Sequence, residues 1–249
     1  MQLKIGEIAR FEIAYRLRRA STWFFAVLLI VLPLVVLQAL ASEPQHLNSP
    51  LSTATAVALI AMVGMLVTAA IFGDAATRDA DTGMRPLFYT APLGKLEYLG
   101  GRFLGALVVN AGLLFFIPIG LLLGTFLPYG DVTFGPFIPG AYIEPMLTFA
   151  LPNLIFTAAI LFTVAALTRS TLPAYLTAVG LFIAYLVGVQ WARSLASREL
   201  AMLFDPFGSI VIQHLTGYLS PVEKDTVRLG LPPILLFNRL LWLAIGGAV

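Results

Sequence analysis

The sequence predicts an all-α, polytopic helical membrane protein, and three observations carry that prediction. Of the 249 residues, 59% are hydrophobic and 11% charged, with a mean hydropathy of +0.91, where a soluble domain carries about 25% charge. Uncharged apolar runs long enough to cross about 30 Å of hydrocarbon recur along the chain. The basic residues are gathered into alternate connections between those runs. A backbone in hydrocarbon must satisfy its own hydrogen bonds, so the apolar runs are read as helices. The predicted unit is one transmembrane domain over residues 1–249 with six spans, the sixth truncated, preceded by an amphipathic interfacial helix over about residues 1–20.

The amino terminus, MQLKIGEIARFEIAYRLRRASTW, lacks the short basic region followed at once by an apolar stretch that marks a secretory signal. Its apolar residues Leu3, Ile5, Ile8, Phe11, Ile13, Tyr15 and Leu17 alternate with charged ones, several at helical spacing, which predicts a helix lying on the membrane surface. The spans follow as runs free of charge, because a charge at the centre of a spanning helix costs roughly 2.5 to 3.5 kcal/mol. They are Ala20 to Ser42, Leu51 to Gly73, Phe103 to Pro128, Pro145 to Thr168 and Ser170 to Trp191. Pro33, Pro118 and Pro152 mark expected kinks within them. A last apolar stretch begins near Pro233, carries Asn238 and Arg239, and reaches Val249 still apolar, as if the span continued beyond it.

Orientation rests on Lys and Arg. Lys4, Arg10, Arg16, Arg18 and Arg19 precede the first span, Arg78, Arg85, Lys95 and Arg102 lie between the second and third, and Arg169 lies between the fourth and fifth. The intervening connections Glu43 to Pro50 and Tyr129 to Glu144 hold neither Lys nor Arg. The amino terminus is therefore expected in the cytoplasm and the segment 190–233 outside, in a cell inner (plasma) membrane. Within that outer segment, LFDPFGSIVIQHLTGYL is too apolar for a linker and predicts one or two short helices dipping into the interface or packing on the bundle. The formal net charge of +2 reflects the basic inner face and implies no nucleic-acid partner.

The connection over residues 74–102 is far longer than the about 2 to 8 residues that join helices in bundles. Asp74, Arg78, Asp79 and Asp81 fall at near-helical offsets, Gly83 and Pro86 break the chain, and Pro92 and Gly94 precede a second helical stretch from Lys95. A short surface helix held between two spans can transmit force from a docked partner. Enzymatic signatures are missing. No G-x-x-x-x-G-K-[ST] occurs, no G-x-S-x-G occurs, and His46 and His214 lack the H-E-x-x-H spacing of a zinc site. The chain has no cysteine, which excludes disulfides and thiolate metal sites. No catalytic, cofactor or metal residue is expected. Inside the spans, Asn153 with Thr157 one turn on forms a candidate polar site, but no chain of intramembrane carboxylates accompanies it. Gly101 with Gly105, and Gly120 with Gly124, have the G-x-x-x-G spacing that allows close helix approach, here expected within the chain.

Arg78-Asp79, Thr82-Gly83, Thr90-Ala91-Pro92-Leu93, Lys95, Tyr98-Leu99 and Gly101-Arg102-Phe103 together resemble the cytoplasmic loop of type-2 ABC exporter permeases. Leu167-Thr168-Arg169-Ser170 at a tight turn and Asn238-Arg239-Leu240-Leu241-Trp242 at the last span fit the same family. So do the amino-terminal helix and the apolar outer segment. The nearest look-alikes are long bacterial permeases whose membrane half precedes a zinc-aminopeptidase-like domain, of which this chain carries no part. The resemblance implies a permease subunit of an ATP-driven exporter that docks a separate ABC ATPase through Asp74, Arg78, Asp79, Asp81, Gly83 and Arg85. It also implies a second permease half or a homodimer, membrane lipids around both, and ATP and Mg on the partner rather than on this chain. A hydrophobic or amphipathic substrate would be moved outward. Two rival functions stand beside it: a non-transporting membrane anchor or scaffold for a peptidase or other partner, and a secondary carrier.

Overall fold

The computed structural model describes residues 2–40, 46–81, 94–128, 133–194 and 197–249. Every regular element among them is helical, so the protein is a helical membrane protein. In chain order the helices are α1 (Gln2–Leu17), α2 (Ala20–Leu40), α3 (Pro50–Val63), α4 (Met65–Asp81), α5 (Lys95–Leu114) and α6 (Phe116–Gly124). There follow α7 (Pro139–Pro145), a π-helical turn (Met146–Ala150), α8 (Leu151–Thr168), α9 (Leu172–Ser194), α10 (Arg198–Leu203), α11 (Ser209–Thr216), α12 (Pro221–Thr226) and α13 (Pro233–Ala248).

Four helical units are long and apolar enough to cross a bilayer: Ala20–Leu40, Lys95–Gly124, Pro139–Thr168 and Leu172–Ala192. The pair α3 and α4 makes a fifth if taken as one span bent by 41°. The bend falls at Gly64, whose N–H is shared between the Ile60 and Met62 carbonyls. No proline announced it. Of the expected proline kinks, Pro33 lies inside a continuous α2, while the α5–α6 break falls at Phe115, one turn before Pro118. Pro145 and Pro152 bracket the π-helical turn, where two missing N–H groups leave the ladder free to shift. The last apolar stretch forms the shorter helix α13.

Helix boundaries follow local chemistry. Ser49 accepts from the Ser52 N–H at 3.1 Å and Pro50 occupies the first turn, which starts α3. Glu97 reaches back to the Gly94 N–H at 2.9 Å to start α5. Ser220 and Glu223 close a reciprocal capping box on α12. Arg169, at φ 59°, ends α8 in the left-handed conformation and turns the chain into α9.

The main core is built from α2 to α6 with α8, around Leu29, Val57, Ile60, Phe72 and Ile117. A second core, at the other end of the bundle from α1, joins Leu51 and Phe149 to Val211, Ile212 and Leu235. Segment 198–226 thus folds into three short helices, of which α11 packs on the bundle and is buried through Val211 and Ile212. By contrast α2 and α9 turn long apolar rows outward, including Val27, Val31 and Val35 on one and Val179, Ile183 and Val187 on the other. Such rows suit lipid or another membrane helix.

The charged connection is helical on both flanks, as the near-helical offsets of Asp74 to Asp81 and the stretch from Lys95 predict, but the second span does not stop at Gly73: α4 runs on unbroken to Asp81, and α5 begins at Lys95. Asp74, Arg78 and Asp79 therefore ride on the extension of α4 rather than on a separate surface helix. The reason is that each of these charges finds an opposite charge on a neighbouring helix, so the α4 ladder has no cause to end where the hydrocarbon does.

Candidate functional site

The site begins with two glycines. A Cβ placed on Gly101 would lie 2.7 Å from Ile8 Cβ, and one on Gly105 would lie 2.6 Å from Glu12 Cβ and 2.7 Å from the Ala9 carbonyl oxygen. Only a glycine at both positions lets α1 lie directly on the α5 backbone, which is the close approach that G-x-x-x-G spacing permits. Seated there, α1 presents a polar edge inward. Glu12 is 1% exposed and Arg16 4%, while Phe11 is 68% exposed on the outer side. The amino-terminal helix is thus present and packed on α5, with its charges rather than its largest apolar ring against the bundle.

Glu12 is the hub of a buried charge cluster. Its Oε1 accepts from Arg16 Nε at 2.6 Å, its Oε2 accepts from Arg78, and Arg102 Nε lies 3.7 Å from Oε2. Asp74 on α4 accepts from Arg16 Nη2 at 3.1 Å and from Arg19 Nη1 at 2.8 Å. Asp79 accepts from Arg102, which also donates to the Tyr98 hydroxyl at 2.7 Å. The Arg78 guanidinium stacks on the Tyr15 ring at 3.8 Å from its centroid. Three carboxylates, Glu12, Asp74 and Asp79, therefore face four guanidinium groups, Arg16, Arg19, Arg78 and Arg102. Burial lowers the Arg16 pKa from its ordinary value, and Glu12 and Asp74 oppose that shift by favouring the charged form. Beneath the charges, the Phe162 ring meets those of Phe72 and Phe103 edge to face at 6.3 and 5.4 Å between centroids, Phe72 and Phe103 lie tilted at 5.3 Å, and the three rings join α4, α5 and α8.

The cluster is a mechanical tie: ion pairs run from α1 to α4, from α1 to α5 and from α4 to α5, so none of the three helix ends can shift without disturbing the others. Of the residues singled out in the sequence, Asp74, Arg78 and Asp79 all belong to it. Asp81 closes α4. Gly83 and Arg85 lie outside the described residues. Sequence reading missed Glu12, Arg16 and Arg102. The i, i+4 spacing of Glu12 and Arg16, and the position of Arg102 immediately after the first glycine of the pair, were the available signals.

The second candidate, Asn153, is buried and central to a different cluster. Its Oδ1 accepts from Arg239 Nη1 at 2.9 Å and its amide donates to the Phe207 carbonyl at 3.3 Å. Arg239 also donates to Asn238, whose amide reaches the carbonyls of Met202 at 2.7 Å and Asp205 at 3.0 Å. The Asp205 carboxylate accepts from the N–H groups of Phe207, Gly208 and Ile210 at 3.1, 2.8 and 2.5 Å. Burial raises the Asp205 pKa, opposed by the Gly208, Ile210 and Val211 N–H donors and by the Arg239 charge. Thr157 does not join: its hydroxyl donates to the Asn153 carbonyl at 2.7 Å, within its own helix. Asn153 therefore fastens the segment around Phe207 to α8 and α13. Beside it a cleft of about 670 Å³ opens between α3, α9 and α11, with Ala58, Met62, Leu186 and Phe207 as apolar wall and Gln190 and Gln213 as polar rim.

Among the described residues, no group of three or more His, Cys, Asp or Glu side chains is placed to hold a metal ion. No protein-family model matches the chain, and no curated protein matches it.

Proposed function

We propose that this chain is the membrane-spanning permease subunit of an ATP-driven type-2 ABC exporter, with the segment that joins α4 to α5 as the docking point of a separate ATPase. The observation that carries the reading is the buried cluster of Glu12, Arg16, Asp74, Arg78, Asp79 and Arg102. It locks both flanks of that segment to each other and to α1. A force applied to residues 82–93 would enter α4 and α5 together, and α1 with them, instead of dissipating in a loose loop. The bend at Gly64 in the α3–α4 pair gives the moved helix a hinge within the bilayer. The lateral apolar cleft with its Gln190 and Gln213 rim suits a hydrophobic or amphipathic substrate. The basic residues around α1 support a cytoplasmic amino terminus in a bacterial inner membrane, and on this reading the partners would be an ABC ATPase and a second permease half.

The test is purification of the tagged chain, in mild detergent, from cells that express it from its own locus. A stoichiometric polypeptide carrying a P-loop is expected, and its ATPase activity should change on reconstitution with this chain. Purification of the chain with no such polypeptide would leave the scaffold reading ahead.

A further inference from the structure

A second cleft, of about 550 Å³, lies at the corner where α1 turns into α2, closed on its far side by α4 and the first turn of α9. Its rim is polar, formed by Arg16, Arg19, Ser21, Asp74 and Tyr175, and its floor is apolar, formed by Phe25 and Ile71. Arg19 gives only Nη1 to Asp74, at 2.8 Å, and the side chain is 43% exposed. Its other two nitrogens and the Ser21 and Tyr175 hydroxyls make no hydrogen bond among the described residues. Asp74, the one carboxylate lining the cleft among the described residues, is engaged by both Arg16 and Arg19, and Arg16 is held by Glu12 as well, so Arg19 is the rim cation with donors to spare.

The level of the cleft identifies what fills it. The apolar α2 starts at Ala20, one residue after Arg19, so the rim stands where hydrocarbon gives way to headgroups. Trp23 marks the same level: its indole N–H donates to the Leu17 carbonyl at 3.0 Å while the side chain stays 55% exposed, the behaviour of an interfacial anchor. Immediately beyond it Phe24, 64% exposed, continues the surface along which an acyl chain would lie.

We propose that this cleft binds the phosphodiester headgroup of an anionic phospholipid, with Arg19, Ser21 and Tyr175 donating to the phosphate and the acyl chains running along Phe24 and Phe25. The apolar floor and the position at the start of a lipid-facing helix select a lipid over a free anion. Binding there bridges α1, α2 and α9, and so ties the charge cluster to the surrounding membrane.

The full chain in nanodiscs of phosphatidylcholine, with or without phosphatidylglycerol, gives the test, read by native mass spectrometry of retained lipid and by the thermal unfolding midpoint. The wild type should retain phosphatidylglycerol over phosphatidylcholine by about fivefold, the preference that one basic side chain contributes at a membrane surface. Arg19→Gln should bring retention close to equality. Tyr175→Phe, which leaves every ion pair in place, should lower it as well and keeps the test open if Arg19→Gln unfolds. Arg228→Gln, which removes a cation at the opposite end of the bundle, should retain the preference. Equal retention of both lipids by the wild type, or the same loss in Arg228→Gln as in Arg19→Gln, would overturn the proposal. So would inorganic phosphate raising the midpoint in phosphatidylcholine discs as much as phosphatidylglycerol does, because the site would then recognise a free anion.

Discussion

Replacing Glu12 with Gln perturbs the charge cluster at its hub without changing side-chain size. The carboxylate is 1% exposed and faces Arg16 at 2.6 Å, Arg78 in direct contact, and Arg102 at 3.7 Å. With charge centres about 4 Å apart, each attraction is of order 4 kcal/mol at an effective dielectric near 20. Removing the negative charge forfeits these attractions and leaves three buried guanidinium groups repelling one another, partly offset because Glu12 no longer has to be desolvated. Breaking a buried pair from one side costs about 3 to 5 kcal/mol in such settings, and Glu12→Gln is expected in that range. The matched control is Glu144→Gln, whose partner Arg228 is 55% exposed and whose pair is worth only about 0 to 1 kcal/mol. The assay is equilibrium unfolding in detergent, with limited proteolysis after α1 as a second readout. A double variant of Glu12→Gln with Arg78→Met should recover part of the loss, since one of the orphaned cations is gone. If Glu12→Gln matches Glu144→Gln in stability and leaves α1 as protease-resistant as the wild type, the cluster is not what holds α1 down.

Three further outcomes follow from the packing and the charge distribution. Gly105→Ala places a methyl 2.7 Å from the Ala9 carbonyl oxygen and should destabilise by about 1 to 3 kcal/mol by lifting α1, whereas Gly112→Ala, with nothing within 4 Å, should be neutral or stabilising in the same unfolding assay. Gly208→Ala combines φ +89° with a Cβ 2.6 Å from the Phe149 ring, so α11 should detach and expose Val211 and Ile212, read as faster hydrogen exchange over residues 209–216 at a cost above about 1 kcal/mol. Cysteines introduced at Thr82 and Lys224 should react with a membrane-impermeant thiol reagent from opposite sides; labelling from one side would overturn the assigned topology.

How much of this was legible in the sequence depends on the kind of force involved. The apolar runs are dictated by the solvent, so the helices of the five uncharged stretches appear where composition places them. The end of α4 is dictated by partners instead. Asp74, Arg78 and Asp79 read as a separate short surface helix because Glu12 and Arg102, which pair with Arg78 and Asp79, lie far away along the chain. The same blindness hid Arg239 as the partner of Asn153. The pairing also changes how the cluster can be perturbed. Reversing Arg78 and Asp79 together looks harmless from sequence, since both lie beyond the hydrocarbon, yet Arg78→Glu sets a carboxylate against Glu12 and Asp79→Arg sets a guanidinium against Arg102. That variant would disturb folding before it disturbed coupling. The glycine pair at 101 and 105 was readable as a close-approach motif; only the structure reveals that its occupant is α1.

The central claim, that the segment between α4 and α5 receives force from an ATPase, is tested most directly by photo-crosslinking in the native membrane. A photoreactive residue at Thr82, immediately after α4, should capture a polypeptide carrying a P-loop, and ATP with vanadate should change the yield. The same residue at Val222, 74% exposed at the opposite end of the bundle, should capture no such polypeptide. Capture of no P-loop protein from Thr82, or equal capture from both positions, would contradict the account.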